Sequence, residues 1–274
     1  MSAIGVSATG PRAASSKRSE RMIAILSLLS ESGEVRLGEL SDALLASAAT
    51  IRRDLADLEE QGLLTRTHGG ARVRGDQSEL PVRLKDSQYR EAKQLIARKA
   101  AQLIPSGRYA IALSGGSTTA EVAKALANRS ELTIITNSLT TAMEFASRPN
   151  LRVMMTGGLI RSNSFELVGP LAENTFNAIN VGTAILGTDG VSALTGATTF
   201  DETEARTNYA MVTHAQRVIV VADGSKIGRL TLAKVADLSE IHELITDSSA
   251  DHAELDKIAA AGVNIHVVEV PPPA

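Results

Sequence analysis

Residues 47–55 read Ser47-Ala48-Ala49-Thr50-Ile51-Arg52-Arg53-Asp54-Leu55, and this stretch decides how the N-terminal part of the chain folds. Serine is a favoured helix cap, because its hydroxyl accepts from the free N–H groups of a first turn. With Ser47 as cap, a helix runs to a stop at Gly62. Advancing about 100° per residue from Ile51 puts Leu55 at about 40° and Leu58 at about 340°, one buried stripe. Arg53 falls at about 200°, Ala49 at about 160° and Ala56 at about 140°, with Arg52 and Thr50 on the flanks. The outward face is arginine set among small residues. That shape enters a major groove about 12 Å wide and brings a guanidinium to base or phosphate. Asp57, Glu59 and Glu60 repel phosphate, so only the first two turns approach a duplex.

Working outward, residues 20–32 carry Met22, Ile25, Leu26 and Leu29 on one helical face, with Ser19 to cap and Gly33 to stop. Residues 37–45 form a shorter helix around Leu37, Leu40 and Leu44. Downstream, Leu63–Arg66 and Ala71–Val73 read as strands about His68-Gly69-Gly70, where a glycine pair allows positive φ. Three helices and a two-stranded hairpin make a winged helix-turn-helix. Arg66, His68, Arg72 and Arg74 stand beside the reading helix as contacts to DNA backbone or minor groove. The DNA-binding candidates are Ser47, Ala49, Thr50, Arg52, Arg53, Arg66, His68 and Arg72.

This string resembles the N-terminal signature of the DeoR family of bacterial transcriptional regulators. The resemblance rests on Ser47 to Leu55, Leu58-Glu59, Gly62-Leu63-Leu64, Arg66 and His68-Gly69-Gly70-Ala71, and departs at Ala46, where the family usually has a larger apolar residue. It implies a sequence-specific repressor bound to double-stranded operator DNA.

The segmentation that follows is a disordered tail over 1–16, the winged helix-turn-helix over 17–74, a linker and connecting helix over 75–105, and a second domain over 106–270. Gly75–Pro81 is the linker, and 86–104 is amphipathic with Leu95, Ile96, Ala100 and Leu103 inward. Apolar runs then recur at Tyr109–Leu113, Leu132–Thr136, Leu151–Thr156, Thr183–Leu186, Val218–Ala222, Leu244–Thr246 and Asn264–Val268. Helical stretches fall between most of them, at Thr118–Ala127, Leu139–Ser147, Glu202–His214 and Ala253–Ala261. Alternation of this kind predicts an α/β domain with a largely parallel sheet.

Ligands in such sheets sit at the carboxyl ends of strands. Ser114-Gly115-Gly116-Ser117-Thr118-Thr119 follows the first strand and opens a helix. Its glycines admit close approach, and its N–H and hydroxyl groups face an anion. It lacks the GK[ST] of a nucleotide P-loop. Asn137, Gly157-Gly158, Asp189 and Lys226 end other strands, and together they describe a polar pocket of phosphosugar size. Lys226 can pair a phosphate as a point charge. The same segments, over about 80–250, resemble the DeoR-family sensor domain, which is similar in fold to ribose-5-phosphate isomerase and the CoA-transferase-like group. In the family the first loop is often Asp-Ser-Gly-Thr-Thr-Thr; here Ser114 stands in place of the Asp. The family's Asp-x-Ser-Lys loop is kept as Asp223-Gly224-Ser225-Lys226. The resemblance implies a phosphorylated sugar or related metabolite as effector.

An isomerase needs a placed acid and base. Asp189, Lys226, Glu202 and Glu204 are the groups at hand, but Asp189-Gly190 runs on to Val191-Ser192-Ala193, and Glu204 to Ala205-Arg206, so the isomerase stretches are broken. No catalytic residue is assigned. The alternatives are an isomerase-like enzyme, or a DNA-binding protein whose second domain only oligomerises.

The composition agrees. In 274 residues there is no Cys, which excludes disulfides, a thiol nucleophile and Cys-ligated metals. Five scattered His form no HExxH or HxH, so no metal and no cofactor is expected. Three Tyr, four Phe and no Trp argue against a base-stacking single-strand binder. Residues 1–75 hold ten Lys+Arg against nine Asp+Glu, so position rather than net charge carries the DNA argument. No run approaches the roughly 18 apolar residues of a membrane span, and the N-terminus lacks a signal-peptide apolar region, which points to the cytoplasm. A homodimer or homotetramer is expected, presenting paired reading helices to operator half-sites.

Overall fold

The computed structural model describes residues 11–73, 79, 81–86 and 88–271. The chain forms two compact units, divided between Gln88 and Tyr89.

The first unit runs α1 (Pro11–Ser32), β1 (Glu34–Arg36), α2 (Leu37–Ala43), α3 (Ala48–Glu60), β2 (Leu64–Thr67), β3 (Gly70–Val73) and α4 (Val82–Lys85). Ile25 and Leu29 of α1, Leu40 of α2, and Ile51, Leu55 and Leu58 of α3 meet in one core, which Leu84 of α4 joins. Each such side chain contributes about 1.5–3 kcal/mol by burial. The helices are those the apolar spacing predicts, but α1 starts at Pro11, so Pro11–Ser16 are helical where a tail is expected. The wing is a three-stranded sheet in the order β1-β3-β2 rather than a bare hairpin.

The glycine pair needs a second correction. Neither Gly69 nor Gly70 takes a positive φ. Gly70 is required for space: β1 pairs with β3, and a Cβ at 70 would overlap the Val35 carbonyl oxygen and meet Arg36 Cα at 2.8 Å. Of the expected linker at 75–81, only residues 79 and 81 lie among the described ones, and Arg74 lies outside them.

The second unit opens with α5 (Arg90–Leu103). The expected helix over 86–104 is broken at Tyr89, whose φ of 51° is left-handed. Two β-α-β crossovers follow: β4 (Tyr109–Leu113), α6 (Ser117–Leu126), β5 (Leu132–Thr136), α7 (Leu139–Phe145) and β6 (Leu151–Met155). A hairpin, β7 (Leu159–Arg161) with β8 (Glu166–Val168), and α8 (Pro170–Asn177) lead to β9 (Thr183–Gly187). Next come β10 (Gly190–Ser192), β11 (Gly196–Thr199), α9 (Glu202–Thr213), β12 (Val218–Val221) and β13 (Ala233–Ala236). The chain closes with β14 (Glu243–Asp247), α10 (His252–Ala260) and β15 (Asn264–Val268).

Seven parallel strands lie in the order β15-β14-β12-β9-β4-β5-β6. Alternate residues of one strand serve opposite faces: Ile111 and Leu113 pack with Ile96, Val122 and Leu126, whereas Ala112 joins Phe176, Met211 and Ile258. Helices therefore cover both faces, as an all-parallel sheet requires. The strand order reverses between β4 and β9, so the loops leaving these two strands diverge and open a crevice at their carboxyl ends. No helix among the described residues is long and apolar enough to cross a membrane.

Candidate functional site

In the first unit, Ser47 caps α3 as the sequence predicts, accepting from the Thr50 N–H at 3.2 Å, with its hydroxyl 2.8 Å from that of Thr50. Ile51, Leu55 and Leu58 are buried, while Ala49, Arg52 and Arg53 are exposed and Thr50 is half-buried. Three acidic groups of α3, Asp54, Asp57 and Glu59, are drawn back into their own unit. Asp54 is buried and pairs with Arg21 Nε at 2.5 Å and Arg18 Nε at 3.4 Å, and Arg18 also pairs with Asp57. Glu59 accepts from the Arg66 backbone N–H at 2.9 Å and lies 3.8 Å from its guanidinium. Arg66, His68 and Arg72 are all exposed on the wing. The role of Asp54 was not read from the sequence, although its place three residues after Ile51 on the buried side of the wheel is a signal for it.

In the second unit, the crevice between β4 and β9 is lined by the loop Ser114-Gly115-Gly116. The Ser114 hydroxyl is engaged internally, accepting from Gly187 N–H at 2.9 Å and donating to the Gly115 carbonyl at 3.1 Å, so it ties the two diverging strands together. Gly116 has φ 115°, a conformation that favours glycine, and it is the N-cap of α6. No side chain caps that helix, so the first-turn N–H groups of Ser117, Thr118 and Thr119 are left without a capping side chain at the carboxyl end of β4. Thr119 Oγ1 returns to the Gly116 carbonyl at 2.9 Å.

The other predicted residues divide. Asp189 and Lys226 come together, with Lys226 Nζ 4.0 Å from Asp189 Oδ1. The Asp223 side chain accepts from the Ser225 N–H and shapes the turn that carries Lys226. Asn137 is buried, donates to Asn208 Oδ1 at 3.2 Å, and keeps an Oδ1 with no hydrogen-bond partner. Gly157 and Gly158 lead into the β7–β8 hairpin; Gly158, at φ 133°, is needed because a Cβ there would press on Val168 of β8. His214 only closes α9, its Nδ1 lying 3.0 Å from the Ala210 carbonyl.

Around Asp189 stands a buried polar cluster that the sequence reading missed. The Thr199 hydroxyl lies 2.6 Å from Glu204 Oε1 and 3.2 Å from Asp189 Oδ2, and its single proton serves one of them at a time. Arg161 pairs with Glu204 at 3.1 Å and Asp201 at 3.2 Å. Glu166, on β8, is 2% exposed and accepts from the Gly115 N–H. Burial, and then the neighbouring Glu204, push its carboxyl well above the usual carboxylate range. Glu166 alternates with inward-facing Val168, a period-two signal that places it inside despite its charge. Among the described residues no group of His, Asp and Glu has the arrangement of a metal site.

Taken together, the reading helix and the strand-end crevice define a helix-turn-helix regulator with a separate sensor domain. The chain belongs to the DeoR family of transcriptional regulators: residues 21–77 match the DeoR-like helix-turn-helix domain and residues 88–248 the DeoR C terminal sensor domain. It is 38% identical to the HTH-type transcriptional regulator GlpR of Haloferax volcanii, over 90% of this chain and 96% of that one. It is 32% identical to the glycerol-3-phosphate regulon repressor of Escherichia coli K12, over 85% of this chain and 92% of that one. Among solved structures, ribose 5-phosphate isomerase from Plasmodium falciparum covers 52% of each chain at 17% identity and a TM-score of 0.36, a likeness too slight to bear on chemistry.

Proposed function

We propose that this protein is a sequence-specific repressor of a sugar-metabolism operon, released from its operator by a phosphorylated sugar or related metabolite. The observation that carries this is the division of charge on α3. Arg52 and Arg53 are exposed, while Asp54, Asp57 and Glu59 are neutralised by Arg18, Arg21 and Arg66. Arg53, with Ala49 and Thr50 beside it, reads base edges in the major groove. Ser47, Arg52, His68, Arg72 and Arg66 position the unit on phosphates and on the adjacent minor groove.

The effector's phosphate sits on the Gly115-Gly116 loop and the first turn of α6, at Ser117, Thr118 and Thr119, with Lys226 as counter-charge and Asp189 and Asn137 toward the hydroxyls. Ser114, Gly157 and Gly158 shape the crevice. The glycerol-3-phosphate relative supports a phosphorylated polyol as the ligand class. A homodimer or homotetramer in the cytoplasm presents two reading helices, and the ligand favours the subunit arrangement in which they no longer match the operator half-sites. Helix α5, which opens the second unit, is the relay. The protein acts as a regulator rather than an enzyme, since Asp189 and Glu204 are held by Lys226, Thr199 and Arg161.

Fluorescence anisotropy on DNA from upstream of the protein's own gene tests the DNA half of this reading. At fixed salt, a preference of about 10³ or more over a scrambled duplex is expected. Equal affinity for both duplexes contradicts it.

A further inference from the structure

The strand-end crevice contains a carboxyl that neither the loop motif nor the cation at Lys226 accounts for. Glu166 reaches it from the β7–β8 hairpin, not from a strand of the parallel sheet. It is 2% exposed, and one of its oxygens is held by the Gly115 N–H. Its other oxygen, Oε2, is buried with no hydrogen-bond partner. The fit to the loop is mutual: a Cβ on Gly115 would overlap the Glu166 carboxyl, so glycine at 115 is what admits it. Structures keep unpartnered buried polar atoms mainly where a ligand or water completes them.

The surroundings fix what kind of partner completes this one. Glu204 from α9 and Asp189 from the loop after β9 face Glu166 with like charge, and Arg161 from β7 faces it with opposite charge. Arg161 is shared with Glu204 and Asp201, and Lys226 stands on Asp189. Burial and these acids favour the protonated carboxyl, which is a hydrogen-bond donor. Such a donor stands beside the first turn of α6, whose N–H groups no side chain caps.

We infer that Glu166 determines the specificity of the effector site, donating a hydrogen bond from its carboxyl to an oxygen of the anionic group seated on the Gly115–Thr119 loop. This rests on the proposed reading of the crevice as a phosphate site and assigns it a further residue. A neutral carboxyl recognises the anion; an ionised one repels it. The site therefore holds an anion of fixed charge, such as sulfate, less tightly as pH rises.

The test is a titration of the full chain with inorganic sulfate, which stays a dianion throughout, between pH 5.5 and 8.5. Binding is read at the backbone amide resonances of Gly115 to Thr119, which report this loop and not the arginines of α3. In the wild type, affinity falls with pH by up to about tenfold per unit, the limit for one coupled proton. In Glu166→Gln, which keeps a donor of the same shape and does not titrate, affinity stays at the wild type's low-pH value across the range. Superimposable profiles for the two proteins, or an affinity that rises with pH, would overturn the inference while leaving the loop an anion site. If sulfate moves these amides in neither protein, the phosphate reading of the crevice falls together with the inference.

Discussion

The two polar regions of this protein handle charge in opposite ways. On α3 Arg52 and Arg53 face outward, and Asp54, Asp57 and Glu59 of the same helix are turned back into ion pairs with α1 and β2. At the ends of β4 and β9 the charges face inward: Glu166, Asp189 and Glu204 are all buried, and one hydroxyl and two cations serve them. An exposed array is screened by salt, so the reading face should respond to ionic strength. A buried array is screened little, and its levers are desolvation and protonation, so the crevice should respond to pH.

The sharpest way to break this contrast is to remove the acid that α3 turns inward. Asp54→Ala leaves Arg21 without its buried partner and should destabilise the first unit by about 2–3 kcal/mol. Urea unfolding measures it; a loss below about 0.5 kcal/mol would mean the pair does not hold α3 in place. Arg53→Ala should weaken operator binding by about 1–3 kcal/mol and relax specificity at one position if Arg53 reads a base. An equal loss on operator and random DNA would make it a phosphate contact instead. Lys226→Ala should raise the sugar phosphate concentration for half-release about tenfold, equivalent to about 1.4 kcal/mol, with operator affinity in the absence of ligand as the control. An unchanged dose response would remove Lys226 from the site.

The smallest effect concerns stability and pH. Glu166 has a folded-state pKa raised above its ordinary value of 4.5, so above 4.5 the unfolded chain gives up this proton more readily than the folded one. Its contribution is therefore fully favourable only below that value, and it is lost as pH rises toward the folded pKa. Glu166→Gln should make stability fall less steeply with pH just above 5, by at most about 1.4 kcal/mol per pH unit, the limit for one proton. Denaturant melts of both proteins at pH 5 and pH 6 check it; parallel changes in the two would assign the slope to other groups.

The sequence was informative where burial followed periodicity. All seven strands of the parallel sheet lie at apolar runs, and the helices α6, α7, α9 and α10 match the stretches between them. The helix α8 escaped, as did strands too short or too polar to carry a period. The strand β1 is only Glu-Val-Arg, the small sheet β10-β11-β13 is built largely of Gly, Ala, Ser and Thr, and β7 and β8 are three residues each. Half of the strand-end cluster enters on those elements. Ser114, Asp189 and Lys226 were legible because they end long strands; Glu166, Arg161 and Thr199 were not, because a charged or hydroxylic residue in a short hairpin reads as surface. Gly70 shows a related limit: a glycine needed for close approach by another strand is indistinguishable, in sequence, from one needed for a turn.

The claim at the centre of this account is that one chain couples the two arrays. Anisotropy of an operator duplex bound to the wild-type protein, titrated with glycerol 3-phosphate and other sugar phosphates and with their unphosphorylated counterparts, tests it directly. Release of the duplex by a phosphorylated compound, and not by its free counterpart, is the predicted result. Binding of a phosphorylated compound at the crevice with operator affinity unchanged would contradict it.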